Sequence, residues 1–123
     1  MQKIHTEKAP KAVGPYSQAT VSGGLVFTSG QIAIDPEANA VTASDIAGQT
    51  EQVMKNLGAV LEAAGSSFAK AVKTTCFLAD MNDFAAFNEI YGRYFTSLPA
   101  RSCVAVKTLP KNVLVEVEVI AEI

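Results

Sequence analysis

The stretch Val113-Leu114-Val115-Glu116-Val117-Glu118-Val119-Ile120 decides how this chain folds. Side chains of a β-strand point alternately to its two faces. Val113, Val115, Val117 and Val119 therefore share one face, and Leu114, Glu116, Glu118 and Ile120 share the other. The valine face demands a cover of its own chain. The opposite face is half apolar and half acidic, which suits a surface that is either solvated or met by another subunit.

Working outward from this strand, Ser102 to Val106 forms a second β-rich run, and Leu109-Pro110-Lys111-Asn112 between the two reads as a turn. An antiparallel hairpin is the expectation. Upstream, Phe84, Phe87, Tyr91 and Phe95 form the apolar stripe of a helix over about Asp83 to Phe95, with caps offered by Asp80 to Asn82. Val72 to Ala79 alternates as a strand. From Ser44 to Ala64 the apolar positions Ile46, Val53, Leu57, Val60, Leu61 and Ala64 recur at helical spacing, with Ser44 or Thr42 as N-cap and Gly65 as the stop. Ser17 to Val21 and Leu25 to Ser29 read as a hairpin across Ser22-Gly23-Gly24, because glycines supply the positive φ angles of a tight turn. A stub strand at Lys3 to His5 and a proline-bearing loop from Ala9-Pro10 to Gly14-Pro15-Tyr16 precede it.

The predicted order is ββαβαββ, an α+β fold with a mixed sheet and both helices on one face, since each strand-helix-strand passage crosses over the same side. No repeat, low-complexity segment or linker interrupts the chain, so residues 1–123 are expected to form a single domain. If apolar, the uncovered sheet face must meet another subunit; the alternative is a monomer with many small alanines on its surface. Composition agrees: charged residues are 18% of the chain, below the roughly 25% of an average soluble protein, while hydrophobic residues reach 49%.

Several function classes are disfavoured by the same counts. The net charge is −2, and the ten Lys and Arg are scattered from Lys3 to Lys111, whereas phosphate-backbone binding needs clustered cations. Nucleic acid is thus a poor default partner. No window approaches the roughly 20 apolar residues needed to span a bilayer, and the segment Met1 to Lys8 lacks the apolar stretch of a signal peptide. Cys76 and Cys103 lie in strand-like runs without the spacing of a disulfide framework, so reduced, cytoplasmic surroundings are the expectation. With His5 the only histidine and no Cys-x-x-Cys, a structural zinc site or a histidine-based triad cannot be assembled in one chain.

Chemistry must therefore come from Arg, carboxylates, Tyr and Cys. Arg101, in Pro99-Ala100-Arg101-Ser102-Cys103, begins a strand among small and apolar neighbours. Its fork of donors fits a carboxylate or phosphate, although an internal ion pair would explain it equally well. Cys103 lies on the same face, as a core residue or as the lining of whatever Arg101 contacts. Glu116 and Glu118 read as the solvated side of a strand or, if a neighbouring subunit covers them, as carboxylates whose raised pKa suits a general base. Asn88 shares the helix stripe with Phe84 and Tyr91, so its amide needs a structural partner or faces a cavity. Tyr16 and Ser29-Gly30 flank the first hairpin, where free backbone N–H groups suit binding or plain turn formation.

Together, Gly14-Pro15-Tyr16-Ser17-Gln18-Ala19, Thr28-Ser29-Gly30-Gln31, Pro99-Ala100-Arg101-Ser102-Cys103, Leu109-Pro110 and Val115-Glu116-Val117-Glu118 resemble the motifs of the RidA/YjgF family of enamine/imine deaminases, across nearly the whole chain. Members of this family also carry the labels endoribonuclease L-PSP and translation initiation inhibitor. The resemblance implies a chorismate-mutase-like fold and a homotrimer with clefts between subunits. It further implies hydrolysis of 2-imino acids such as 2-iminobutanoate and 2-iminopropanoate to 2-oxo acids and ammonia without a cofactor. In that reading Arg101 clamps the substrate carboxylate, Glu116 positions and deprotonates water, and Tyr16, Ser29, Gly30, Asn88 and Cys103 line the cleft. Two other functions stay open: a module that binds small carboxylates without turnover, and a ribonuclease or translation inhibitor. The loop Thr96-Ser97-Leu98 between Phe95 and Pro99 is shorter than the family's usual one, which bears on the cleft rim and substrate size.

Overall fold

A computed structural model describes all of residues 1–123. Strands β1 (Gln2–Ile4), β2 (Ala19–Ser22) and β3 (Leu25–Thr28) are followed by the short β4 (Ile34–Asp35) and β5 (Ala40–Val41), then helix α1 (Ile46–Ala63), β6 (Ala71–Leu78), α2 (Phe84–Tyr94), β7 (Ala100–Ala105) and β8 (Val115–Glu122). The main sheet has the order β1-β2-β3-β8-β6-β7, and β4 and β5 pair separately. The α+β fold with a mixed sheet and two helices is as predicted; the small β4–β5 hairpin carried no alternation long enough to be read from the sequence.

Local chemistry accounts for most boundaries. Gly23 and Gly24 take φ angles of 61° and 78°, making the two-residue turn that joins Ser22 to its register partner Leu25. Helix α1 is capped by Asp45, whose side chain accepts from the Gly48 N–H at 2.8 Å, rather than by Ser44 or Thr42. A carboxylate at the N-cap is an equally good acceptor and also faces the positive end of the helix dipole. Gly65, at φ 81°, ends the helix as expected. Leu98 takes a left-handed φ of 56° in the short loop after α2, with its side chain exposed.

The predicted terminal hairpin is not formed. β7 pairs in parallel with β6, and β8 lies antiparallel between β3 and β6. The reason lies in the two crossovers. A strand-helix-strand passage joins parallel strands, so β3 and β6 run the same way, as do β6 and β7. The slot left between β3 and β6 takes only an antiparallel strand, and residues 106–114 let the chain return across β6 to fill it. Hydrophobicity selects this position over the edge: Val115, Val117 and Val119 are at most 1% exposed, which requires neighbours on both sides and helices above. Each such valine contributes about 1.5–3 kcal/mol by leaving water.

Between the helices and the sheet lies a core that includes Val53, Met54, Leu57, Val60 and Leu61 of α1, Phe87 and Tyr91 of α2, and the valines of β8. Leu25, Phe27, Phe77, Leu114 and Ile120 remain half-buried or exposed on the opposite sheet face. One flaw sits in the core: the Thr50 hydroxyl in α1 is buried without a hydrogen-bond partner. Thr50→Val keeps the shape and removes that orphan, so it should stabilise the fold by about 1 kcal/mol. The check is the urea midpoint, which should rise with an unchanged slope.

Candidate functional site

The predicted site residues fall into two groups on opposite sides of the sheet. Tyr16, Ser29, Gly30 and Glu116 line a cavity of about 690 Å³ on the face away from the helices, whose rim also carries Lys11, Pro110 and Lys111. Asn88, Arg101 and Cys103 gather at the edge strand β7 on the helix side. Register explains the division. Arg101 lies opposite Thr74, which itself lies opposite Val119, all on the inner face, whereas Glu116 lies opposite Phe77 on the outer face.

The first group is held by a scaffold of backbone-directed hydrogen bonds. Gln18 is 2% exposed. Its Nε2 donates to the carbonyls of Thr6 and Pro10 at 3.0 and 2.8 Å, and its Oε1 accepts from the Thr6 N–H at 2.7 Å. The loop before β2 is thereby fastened to the sheet. Ser29 Oγ donates to the Ser17 carbonyl at 2.6 Å, and Ser29 N–H donates to the Gln18 carbonyl at 2.9 Å. Gln31 and Val117 exchange backbone hydrogen bonds of 2.9 and 3.2 Å, so Ser29-Gly30-Gln31 runs beside β8. Gly30 is required there by space, because a Cβ at this position would overlap the Glu116 carboxylate. Tyr16 is half-exposed, with its ring against Gly14 and its hydroxyl accepting from the Val13 N–H at 3.4 Å.

Glu116 is the only carboxylate lining this cavity, and its side chain makes no hydrogen bond in the chain. Burial pushes its pKa above 4.5, and the negative charge of Glu118 on the same face adds to the effect. Both causes favour a proton acceptor nearer neutral pH than an ordinary glutamate.

In the second group, Arg101 has no carboxylate partner: the ion pairs of the fold join His5 to Glu7 and Arg93 to Glu51 and Glu89. The internal ion pair weighed for Arg101 from sequence is therefore absent. Its Nη1 donates to Asn88 Oδ1 at 2.7 Å, which also answers what the Asn88 amide is for. The guanidinium carbon lies 4.7 Å from the Tyr91 ring centre and 5.4 Å from that of Phe84. Cys103 is half-buried beside Cys76, its register partner. Burial raises the Cys103 pKa, outweighing the opposing pull of Arg101, and pushes Cys76 up to about 12. Both stay thiols at neutral pH, so Cys103 lines the site without being a ready nucleophile.

Sequence reasoning missed Gln18, Gln31, Phe84 and Tyr91 as parts of the site. A buried glutamine at each flank of a short hairpin was a legible sign, since an amide there must satisfy loop backbone. Phe84 and Tyr91 looked like plain core because an aromatic stripe serves packing and cation contact with the same spacing.

The protein is thus a small α+β domain in which Arg101 and Glu116 stand on opposite faces of one sheet, with Lys11 and Lys111 at the rim of the cavity beside Glu116. A sequence model described as Endoribonuclease L-PSP matches residues 6–123, and the chain belongs to this family, the RidA/YjgF group. It is 49% identical over 122 residues to the 2-iminobutanoate/2-iminopropanoate deaminase of Salmonella typhimurium, covering 96% of this chain and 94% of that protein. A member of the conserved Rid family from Yersinia pestis, YyfA, superposes with a TM-score of 0.96 at 48% identity, covering 99% of this chain and 98% of the other. E. coli TdcF, solved with bound serine, has a TM-score of 0.95 at 41% identity, covering 100% of this chain and 99% of that one.

Gly30→Ala tests the cavity wall. The added methyl should displace the Glu116 carboxylate, and because the displaced atoms end a flexible side chain beside an open cavity, the stability loss read from the urea midpoint should stay within about 1 kcal/mol.

Proposed function

We propose that this chain is a cofactor-free deaminase that hydrolyses 2-imino acids and their enamine tautomers, such as 2-iminobutanoate and 2-iminopropanoate, to 2-oxo acids and ammonia. Its working form is a chorismate-mutase-like homotrimer of single-domain subunits, with each cleft lying where two copies meet. The observation that carries this reading is the separation of Arg101 from Glu116. Each is unpaired, each sits among groups that leave it available, and they face opposite sides of one sheet. A second copy, placing its edge strand β7 beside the cavity of the first, unites them. The exposed Phe27 and Val104 and the half-buried Phe77 and Ile120 on the outer face favour such an assembly, because leaving them in water forgoes their burial.

The chemistry asks little of the protein. Arg101 of one copy holds the substrate carboxylate through donors that Asn88 does not use, while Asn88 and Cys103 line that wall. Glu116 of the other copy accepts a proton from water as the water oxygen bonds to the iminium carbon, giving a carbinolamine. The proton then passes from Glu116 to nitrogen, and as the C–N bond breaks Glu116 takes the remaining hydroxyl proton, so that ammonia leaves and the C=O of the 2-oxo acid forms. The iminium carbon is already electrophilic, so orientation and one proton acceptor suffice. Tyr16, Ser29 and Gly30 form the wall around the water. The deaminase name of the Salmonella relative supports this assignment.

A module that binds small carboxylates without turnover is the second reading, favoured by the serine bound in TdcF. A ribonuclease, named in the family's description, is disfavoured by the net charge of −2 and the scattered cations.

Coupling the protein to a pyridoxal-phosphate serine/threonine dehydratase should speed 2-oxo acid formation; an unchanged rate alongside intact 2-oxobutanoate binding selects the second reading. Glu116→Gln should lower kcat by about 10²- to 10⁴-fold, and Arg101→Ala should abolish 2-oxobutanoate binding. Trimers refolded from an equal mixture of these two inactive variants should regain about one quarter of wild-type activity, since one cleft in four then receives both intact groups. No recovery would mean that the two residues act within one chain or not at all.

The pH profile supplies an independent check. Glu116 works as the carboxylate, so kcat/KM should fall as pH drops through its raised pKa, with a midpoint above 4.5. Glu118→Gln removes the neighbouring negative charge and should move that midpoint down. The same raised pKa means that the folded state holds this proton more tightly than the unfolded chain. Glu116 therefore detracts from stability as pH rises from the unfolded value to the folded one.

A further inference from the structure

Behind Arg101 stands a column of side chains that packing alone does not require to end on a cation. The guanidinium lies over Tyr91 at 4.7 Å, Tyr91 stacks on Phe95 with ring centres 4.5 Å apart and planes at 26°, and Phe95 meets Phe68 edge-on at 5.0 Å. The tip of the Tyr91 ring is fixed as well. Its hydroxyl shares a 2.7 Å hydrogen bond with Thr74 Oγ1, and Thr74 is the register partner of Arg101 on the adjacent strand. Thr74 and Tyr91 are 1% and 9% exposed. The ring is thus held flat by Phe95 and pinned at its tip to β6, one strand from the arginine it supports.

Besides the more distant Phe84 ring at 5.4 Å, two restraints of different kind act on the guanidinium. The ring face sets its plane, because a planar cation gains most when it lies over the face of an aromatic ring. Asn88 sets rotation within that plane by accepting from Nη1 at 2.7 Å. An arginine on an edge strand without these restraints would spread over many rotamers and lose that freedom only on binding. Here the aromatic rings and the Asn88 amide contact the guanidinium before any ligand binds, and these contacts oppose that spread.

We infer that Tyr91, pinned by Thr74, is a positioning residue for Arg101 that presets the guanidinium for the substrate carboxylate; this rests on the deaminase reading above. Tyr91 touches the arginine and not the reacting carbon. Its effect belongs to carboxylate binding, so it should appear in KM and leave kcat nearly untouched.

The test uses the full chain with 2-iminobutanoate generated in the assay. Tyr91→Leu removes the ring face and should raise KM about 3- to 30-fold with kcat within about twofold. Tyr91→Phe and Thr74→Val keep the ring and release only its tip, and each should raise KM by about 2- to 5-fold. These milder variants keep the test decisive if the leucine variant does not fold, as judged by its thermal transition. A double-mutant cycle separates positioning from general packing: in an Arg101→Lys background, which keeps a cation but loses the planar fork, Tyr91→Leu should raise KM by less than it does beside the native arginine. Equal proportional losses in kcat with unchanged KM, or an effect of Tyr91→Leu undiminished in the Arg101→Lys background, would overturn the inference. If wild type turns over 2-iminobutanoate while all three variants keep its KM, this inference alone fails. A wild type that neither hydrolyses the imine nor binds 2-oxobutanoate overturns the deaminase reading and, with it, the role of Tyr91.

Discussion

The burial of β8 between β3 and β6 is the constraint on which everything else in this protein depends. Val115, Val117 and Val119 vanish beneath the helices, and by strict alternation Glu116 and Glu118 are delivered to the far side of the same sheet. A slip of one residue would exchange the two sets, burying two carboxylates and exposing the valines, at a cost of many kcal/mol. The register of the site is therefore enforced by the hydrophobic core. Gly30 is placed by the same strand, since Gln31 pairs with Val117 and leaves Gly30 against the glutamate.

Arg101 is positioned by a separate logic. It belongs to the edge strand, where one side of the backbone has no partner, and it faces the helix layer where α2 carries Phe84, Asn88 and Tyr91. Desolvation of a guanidinium is costly, and the fold offsets it with an amide acceptor and an aromatic face in place of a carboxylate. A carboxylate partner would have neutralised the cation. The amide and the rings restrain it while leaving its charge uncompensated, which suits an arginine meant for an outside anion.

These two arrangements explain why a chain so small divides its chemistry. A single six-stranded sheet has two faces, and helices cover one of them. Residues anchored by the covered face cannot reach those on the open face of the same copy. In the proposed trimer, assembly on the open face would meet two demands at once, sheltering the exposed Phe27 and Val104 and bringing an arginine to a glutamate. The raised pKa of Glu116 is already present in the isolated chain, and further desolvation by a neighbour acts in the same direction.

Much of this was legible in the order of residues. Alternation in Val113–Ile120 determined which side chains of the last strand are core, helical spacing determined both helices, and the paired Gly23 and Gly24 determined the first turn, because these are local geometric requirements that a few residues satisfy alone. The motifs around Gly14, Gly30, Arg101 and Glu116 pointed to the family. What the sequence could not decide was who pairs with whom. The neighbours of β8, the parallel partner of β7 and the backing of Arg101 by Tyr91 and Thr74 all depend on segments apart in the chain, and a strand's alternation is the same whichever strands flank it. Only the closing of the two crossovers, which leaves a single antiparallel slot, settles those pairings, and with them the side of the sheet on which each functional group stands.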